Sequence, residues 1–130
     1  MALRHEAARH ARYGRPVSIL LLDLSGHPPE PAVERLARAI GDVIRNEARE
    51  TDRAVRTGRL TFRLLLPETG GRAARSLAER LERAYRAAPD GRSEVGVTLT
   101  VEVATAPRNG RLEDALVEAE ARLAGRNGTG

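Results

Sequence analysis

The sequence has 130 residues, enough for one domain with its own core, and its 22 basic and 18 acidic residues leave a net charge of +4. It contains no cysteine, which excludes disulfides, thiolate metal sites and a cysteine nucleophile, and its apolar runs are all shorter than the ~20 residues of a membrane span. Every basic residue is arginine and very few residues are aromatic, so neither a phosphate-binding lysine nor a base-stacking surface for nucleic acid is expected.

The first half of the chain predicts a helix, a buried strand and a second helix. Residues 1–14 place leucine and alanine at helical spacing and are expected to form a lead-in helix. Val17–Leu24 is a continuous apolar run, typical of a central strand buried on both faces. Three prolines in Ser25–Pro31 predict a loop, because proline donates no backbone hydrogen bond. Between Pro31 and Glu50 the apolar residues recur every three or four positions, which predicts an amphipathic helix.

The second half predicts three strands and two helices. Two strands joined across a short turn at Thr57 and Gly58 indicate a hairpin. A helix with one apolar face follows it, and a strand with alternating apolar residues precedes the closing helix. In chain order these are strands Asp52–Arg56 and Arg59–Leu66, a helix that ends near Ala88, a strand Val95–Ala104, a closing helix that begins near Leu112, and a frayed tail over residues 125–130.

The order of the predicted elements indicates the fold class. Strand, helix, strand, strand, helix, strand is the βαββαβ layout of ferredoxin-like and palm-type α/β (α+β) folds. We expect a mainly antiparallel sheet with helices covering one of its sides. No linker or internal repeat divides the sequence, so residues 1–130 are expected to form a single domain.

Five segments, taken in order, resemble the GGDEF (diguanylate cyclase) family. They correspond to the lead-in to the family's first strand, that strand, the signature hairpin with the strand after it, the last core strand and the closing helix. In this sequence the segments are Arg12–Ser18, Leu21–Leu24, Arg53–Pro67, Val97–Thr100 and Ala115–Glu120. The resemblance covers nearly the whole chain, and it implies a palm-type fold and a role in cyclic di-GMP signalling.

The resemblance also implies a catalytic site, and there this sequence departs from the family pattern. In active members, carboxylates on the first strand and the hairpin hold two divalent metal ions that bridge GTP. Asp23 matches the first carboxylate, but Ser25 stands where the family has a second aspartate. The signature Gly-Gly-Asp/Glu-Glu-Phe is replaced by Gly58, Arg59, Leu60, Thr61 and Phe62. A leucine at a metal position offers no oxygen to a hard cation.

The guanine-binding segment implied by the resemblance is also missing. Where the family has Phe-Lys and Asn-Asp after the first strand, this sequence has the shorter loop Ser25–Pro31. Together these departures predict a degenerate domain that is not an enzyme, holds no metal and needs no cofactor, with Asp23 as a remnant. Read from the residues alone, Asp23 is better explained as a cap for the turn that follows its strand.

One ligand-binding feature of the family is retained. The run from Arg49 to Asp52 falls in register with the family's Arg-x-x-Asp site for cyclic di-GMP. A guanidinium binds phosphate or the guanine Hoogsteen edge, and a carboxylate accepts from guanine N–H groups. The resemblance implies Arg80, or failing that Arg83, as a further arginine of this site. The residues alone also allow a plainer interpretation, in which Arg49 and Asp52 pair with each other or cap the chain.

Three functions are consistent with these features. The first is a receptor that binds cyclic di-GMP through Arg49, Asp52 and Arg80. The second is a structural module for dimerisation or protein docking, with a second copy or a signalling protein as its partner, and the third is GTP binding without turnover. Neither a membrane nor nucleic acid is an expected partner. The charged start, Met1–Glu6, differs from a signal peptide, so a cytoplasmic protein is expected.

Overall fold

A computed structural model of the protein describes residues 15–93, 96–106 and 110–128. Its elements are β1 (Ser18–Ser25), α1 (Glu30–Glu47), β2 (Arg53–Arg56), β3 (Thr61–Leu66), α2 (Gly71–Ala87), the short α3 (Pro89–Ser93), β4 (Thr98–Thr105) and α4 (Leu112–Gly128). The predicted lead-in helix over residues 1–14 lies outside the described residues. Within the described ranges, no helix is both long and apolar enough to span a bilayer.

β1 lies at the centre of a four-stranded antiparallel sheet with the strand order β2-β3-β1-β4. Leu20 in β1 is opposite Leu64 in β3 and Val103 in β4. The sheet and its flanking helices confirm the predicted palm-type α/β fold. β2 forms one edge of the sheet, and all four of its residues are exposed.

Both faces of the sheet are apolar, because alternate side chains of β1 point to opposite faces. Leu20, Leu22 and Leu24 join one core with residues of α1 and α2, and Ile19 and Leu21 join a second core with residues of α4. The prediction that helices cover one side of the sheet is therefore wrong. A strand that is apolar on both faces needs a cover on each, and the closing helix supplies the second. The residues of α4 in this second core are Leu112, Ala115, Leu116 and Ala119.

α1 ends earlier than the sequence pattern predicts. Its last residue is Glu47 rather than a residue near Glu50. The Asp52 carboxylate accepts the backbone N–H of Arg49, which a longer helix would donate to a carbonyl four residues earlier. The side chain of Asp52 therefore competes with the helix and starts a turn in its place.

α4 extends further than predicted, through most of the expected frayed tail to Gly128. Its last turns are tied to the sheet by an ion pair, in which Nη2 of Arg126 lies 3.2 Å from Oε1 of Glu102 in β4. Glu102 is 6% exposed, and a carboxylate that is buried to this degree requires cationic partners. Because Glu102 is charged, the pattern of apolar residues did not predict that it holds the end of the helix.

Three other features also differ from the prediction. The hairpin turn spans residues 57–60 rather than two residues, because the amides of Thr57 and Gly58 both bond the carbonyl oxygen of Thr61, at 2.9 and 3.3 Å. The segment after α2, predicted as a break, is the short helix α3. β4 begins at Thr98 rather than at residue 95.

We expect Leu116→Ala to destabilise the domain by about 2–5 kcal/mol, because Leu116 is 7% exposed in the core between α4 and the sheet. Its neighbour Val117 is 63% exposed. Val117→Ala is therefore the matched control, and it should change the free energy of unfolding by less than about 0.5 kcal/mol. Urea unfolding followed by circular dichroism measures both values. Equal effects of the two substitutions would contradict the placement of α4 over the sheet.

Candidate functional site

A tight turn from Arg49 to Asp52 connects α1 to β2. The backbone N–H of Asp52 donates to the carbonyl oxygen of Arg49 at 3.0 Å, and the backbone N–H of Arg49 donates to Oδ2 of Asp52 at 2.8 Å. Aspartate suits this position because its short side chain bonds backbone groups of its own turn. The Asp52 side chain is 1% exposed, so its carboxylate holds the turn and is not presented to solvent.

The Arg49 guanidinium reaches from this turn to the loop between β3 and α2. Its Nη2 donates to Oδ1 of Asp52 at 3.3 Å, to the carbonyl oxygen of Pro67 at 3.1 Å and to the hydroxyl of Thr69. Three acceptors therefore surround one nitrogen that carries two hydrogens. Nε and Nη1, which carry the other hydrogens of the group, have no acceptor among the described residues. The Arg49 side chain is 57% exposed, so these N–H groups are open to a ligand.

Arg49, Asp52 and Arg80 line one pocket of about 240 Å³. The turn after α1, the loop between β3 and α2, and the first turns of α2 form its walls. The structure thus brings together the three residues that the sequence proposed for a ligand site. Arg83, the second choice for the further arginine, does not line this pocket. The polar lining residues that sequence reasoning missed are Glu47, Glu68, Thr69 and Ser76.

Arg80 reaches the pocket from α2 and is held there by two side chains. Its Nε donates to Oε1 of Glu47 at 3.3 Å, and its Nη1 donates to the hydroxyl of Ser76 at 3.3 Å. No described residue accepts from its Nη2. Ser76 lies one helical turn before Arg80, a spacing that the sequence already offers. Glu47 and the loop residues come from distant positions that no sequence signal connects to Arg80.

The signature hairpin is held against α1 by two arginines. Nε of Arg56 donates to the carbonyl oxygens of Gly58 and Arg59, both at 3.1 Å, and its two terminal nitrogens bond both oxygens of Glu34, at 3.2 and 3.1 Å. Arg59 forms an ion pair with Glu30 at the start of α1. The Arg56 guanidinium holds the pKa of Glu34 below its usual value of 4.5. The hairpin turn is therefore closed by bonds within the chain.

The described residues do not form the two-metal site that the family resemblance implies. Asp23 lies near the end of β1 opposite Thr61 and supplies one carboxylate, while Leu60 packs against the core. Within residues 15–93, 96–106 and 110–128, no group of three or more histidine, aspartate or glutamate side chains is placed to hold a metal ion. Two bridging divalent ions need several oxygen ligands. Among the described residues, Asp23 alone supplies fewer oxygen ligands than this.

The antiparallel sheet, its helices on both faces and the hairpin beside its central strand define a palm-type α/β domain. The chain belongs to the GGDEF family, since the family model for the diguanylate cyclase GGDEF domain matches residues 1–127. This membership relates the protein to cyclic di-GMP signalling. No curated protein sequence matches the chain.

Solved GGDEF proteins resemble the chain over almost its full length. The diguanylate cyclase SiaD from Pseudomonas aeruginosa, in complex with its activator SiaC, has 25% identity and a TM-score of 0.78, with coverage of 99% of this chain and 53% of SiaD. The chain therefore spans about half of SiaD. The active GGEEF domain of a diguanylate cyclase from Vibrio cholerae has 19% identity, a TM-score of 0.80 and coverage of 98% and 87%. The GGDEF domain of DgcB from Caulobacter crescentus, in complex with c-di-GMP, has 18% identity, a TM-score of 0.68 and coverage of 98% and 82%.

These findings correct one expectation. The departures at the first strand and the hairpin predicted a domain that is not an enzyme, and this prediction is wrong. The family is that of the diguanylate cyclases, which are enzymes, and the solved structures of similar fold include such cyclases. The family match covers residues 1–127 and so extends well beyond the positions at which the sequence departs from the family pattern.

We expect Glu34→Gln to loosen the hairpin turn, because glutamine cannot form the charged two-point contact with Arg56. The pKa of Glu34 is lowered in the folded protein, so the stabilisation is present above its usual value of 4.5 and is lost as the pH falls through the lower folded-state value. Hydrogen exchange at the amide of Thr57 measures the effect. Glu79→Gln, at an exposed carboxylate on α2, is the matched control. Equal protection in the wild type and Glu34→Gln at neutral pH would contradict this role.

Proposed function

We propose that this domain binds cyclic di-GMP in the pocket lined by Arg49, Asp52 and Arg80. One observation carries the proposal: two arginines from distant parts of the sequence meet in one pocket and keep N–H donors that no described residue accepts. Open guanidinium donors at a concave surface suit an anionic ligand with flat, hydrogen-bonding bases.

The pocket residues have separate roles in this proposal. Nε and Nη1 of Arg49 donate to a phosphate oxygen or to the O6 and N7 atoms of a guanine. Asp52 fixes the orientation of this guanidinium, because its carboxylate is 1% exposed and already bonded to Arg49. This differs from the sequence-based expectation that Asp52 accepts guanine N–H groups itself. Arg80 supplies a second cation from α2.

The relatives support the same ligand. DgcB is a relative in fold whose GGDEF domain was solved with c-di-GMP bound. A receptor role in a signalling protein and a cytoplasmic location belong to the same proposal, because cyclic di-GMP is made from GTP inside the cell.

Calorimetric titration with cyclic di-GMP tests the proposal. We expect the wild type to bind at micromolar protein concentration, and Arg49→Ala to weaken binding roughly 10- to 150-fold, the effect of losing about 1.5–3 kcal/mol of charged hydrogen bonding. Arg80→Ala should weaken binding in the same direction. No heat with the wild type, or an unchanged affinity for Arg49→Ala, would overturn the proposal.

Two arginines outside the pocket provide matched controls. Arg45 in α1 pairs with Asp42 three residues away, as Arg49 does with Asp52. Arg83 lies one turn after Arg80 on α2. Arg45→Ala and Arg83→Ala should bind the ligand like the wild type. A comparable loss in these variants would mean that general positive charge, and not the pocket, holds the ligand.

Two exposed valines favour a second candidate function, which is dimerisation. Val55 in β2 is 58% exposed and Val117 in α4 is 63% exposed. Val55 lies on the same face of the sheet as its partner Arg63, and Arg63 bonds Glu120 of α4 at 2.6 Å. Both valines are therefore on the α4 side of the molecule, where a second copy of the chain would cover them. Under this candidate the partner is a second copy of the chain.

Sedimentation tests the second candidate. We expect the wild type to form dimers and Val117→Asp, which places a charge in the contact, to remain monomeric. Glu118→Gln, at the next exposed position of α4, is the control and should dimerise like the wild type. A wild type that stays monomeric at high concentration would rule this candidate out.

A further inference from the structure

The loop from Pro67 to Gly70, between β3 and α2, has contacts on two sides. On one side, Glu68, Thr69 and Gly70 line the proposed ligand pocket. On the other side, the loop contacts the segment Arg15–Ser18, which leads into β1. The loop therefore lies between the pocket and the start of the central strand.

Thr69 is the residue that joins the two sides. Its hydroxyl accepts from Nη2 of Arg49 and donates to the carbonyl oxygen of Pro67 at 2.8 Å. Its backbone N–H donates to the carbonyl oxygen of Pro16 at 3.0 Å, and its carbonyl oxygen accepts from the hydroxyl of Ser18 at 2.7 Å. Thr69 is 6% exposed, so water does not readily replace these bonds.

Ser18 extends the connection into the sheet. It is fully buried, and its hydroxyl lies 2.8 Å from the hydroxyl of Thr105 at the end of β4. Just outside the two strands, the amide of Ala106, which follows β4, donates to the carbonyl oxygen of Val17, which precedes β1, at 3.1 Å. A buried hydroxyl with two partners of this kind fixes its neighbours, because a break in either bond leaves a polar group unsatisfied.

Glu68 in this loop has an unfavourable backbone conformation. Its φ is +50°, a left-handed backbone conformation that is unfavourable for a residue with a side chain. Its carboxylate forms an ion pair with Arg15. Strained residues of this kind persist only where surrounding contacts determine their conformation. In this loop the contacts come from residues 15–18 on one side and from Arg49 on the other.

We propose that the loop Pro67–Gly70 couples the contacts of Arg49 to the hydrogen bonds and the ion pair that hold residues 15–18. A ligand bound to Arg49 therefore changes the contacts of the segment that leads into β1. The inference rests on the proposed function for its ligand, but its contacts exist without one. Nη2 of Arg49 has more acceptors than hydrogens, so an anion that draws the guanidinium toward the pocket weakens its bonds to Pro67 and Thr69. The strained loop then loses one of its two supports, and the change reaches Pro16 and Ser18 through Thr69.

The first experiment needs no ligand. Hydrogen exchange at the amides of Thr69 and Ala106 is compared between the wild type, Arg49→Gln and the control Arg45→Gln. Loss of the guanidinium should speed exchange at both amides by about 2- to 10-fold, while Arg45→Gln should leave them unchanged. Wild-type exchange rates in Arg49→Gln would refute the coupling.

The second experiment tests the coupling from the other end, because a change at residue 18 that alters the loop also alters the contacts of the loop with Arg49. Ser18 does not line the pocket, yet Ser18→Ala should change the affinity for cyclic di-GMP by about 2- to 10-fold. Ser25→Ala is the matched control, since Ser25 is on the same strand and its hydroxyl bonds the carbonyl oxygen of Thr98 at 3.4 Å. Equal affinities of the wild type and Ser18→Ala would also refute the coupling.

The two experiments separate the inference from the proposed function. If the wild type binds cyclic di-GMP but Arg49→Gln leaves the exchange rates of the Thr69 and Ala106 amides unchanged, the proposed binding site is supported and the coupling is refuted. If the wild type does not bind the ligand, the proposed function fails, and exchange in Arg49→Gln alone decides whether the coupling exists.

Discussion

The structure depends on the burial of β1 on both faces. Leu20, Leu22 and Leu24 face α1 and α2, and Ile19 and Leu21 face α4. A shift of one residue in the pairing of β1 with β3 or β4 would exchange these faces and place every side chain in the wrong layer. The register of the sheet is therefore fixed by two cores at once, and this register determines where each loop and turn emerges.

The antiparallel register places the pocket and the signature hairpin at opposite ends of β3. Leu66 at the end of β3 is opposite Ser18, and Thr61 at its start is opposite Asp23. The six residues of β3 separate these ends by roughly 20 Å. The Arg49 pocket therefore draws on none of the signature positions, and its chemistry is independent of the residues found in the hairpin.

The sequence predicted what repeats along the chain and missed what depends on single polar contacts. The apolar run of β1 and the stripe of α1 gave the fold, and the grouping of Arg49, Asp52 and Arg80 in one pocket agrees with the resemblance. The end of α1 was misplaced because a carboxylate replaced a helical hydrogen bond. The role of Thr69 was not predicted, because its partners Arg49 and Ser18 lie 20 and 51 positions away in the sequence. A periodic pattern does not indicate contacts over such distances.

The exposed strand β2 has a consequence for how this domain behaves when many copies are present. An unpaired strand edge is a template on which other chains can add strands and form aggregates. β2 has only four residues, and it carries Arg53 and Arg56. Arg56 is already engaged with Glu34 and the hairpin turn, so a chain added at this edge would have to disturb those bonds. Arg56, which fixes the hairpin turn, therefore also protects this edge against edge-to-edge polymerisation.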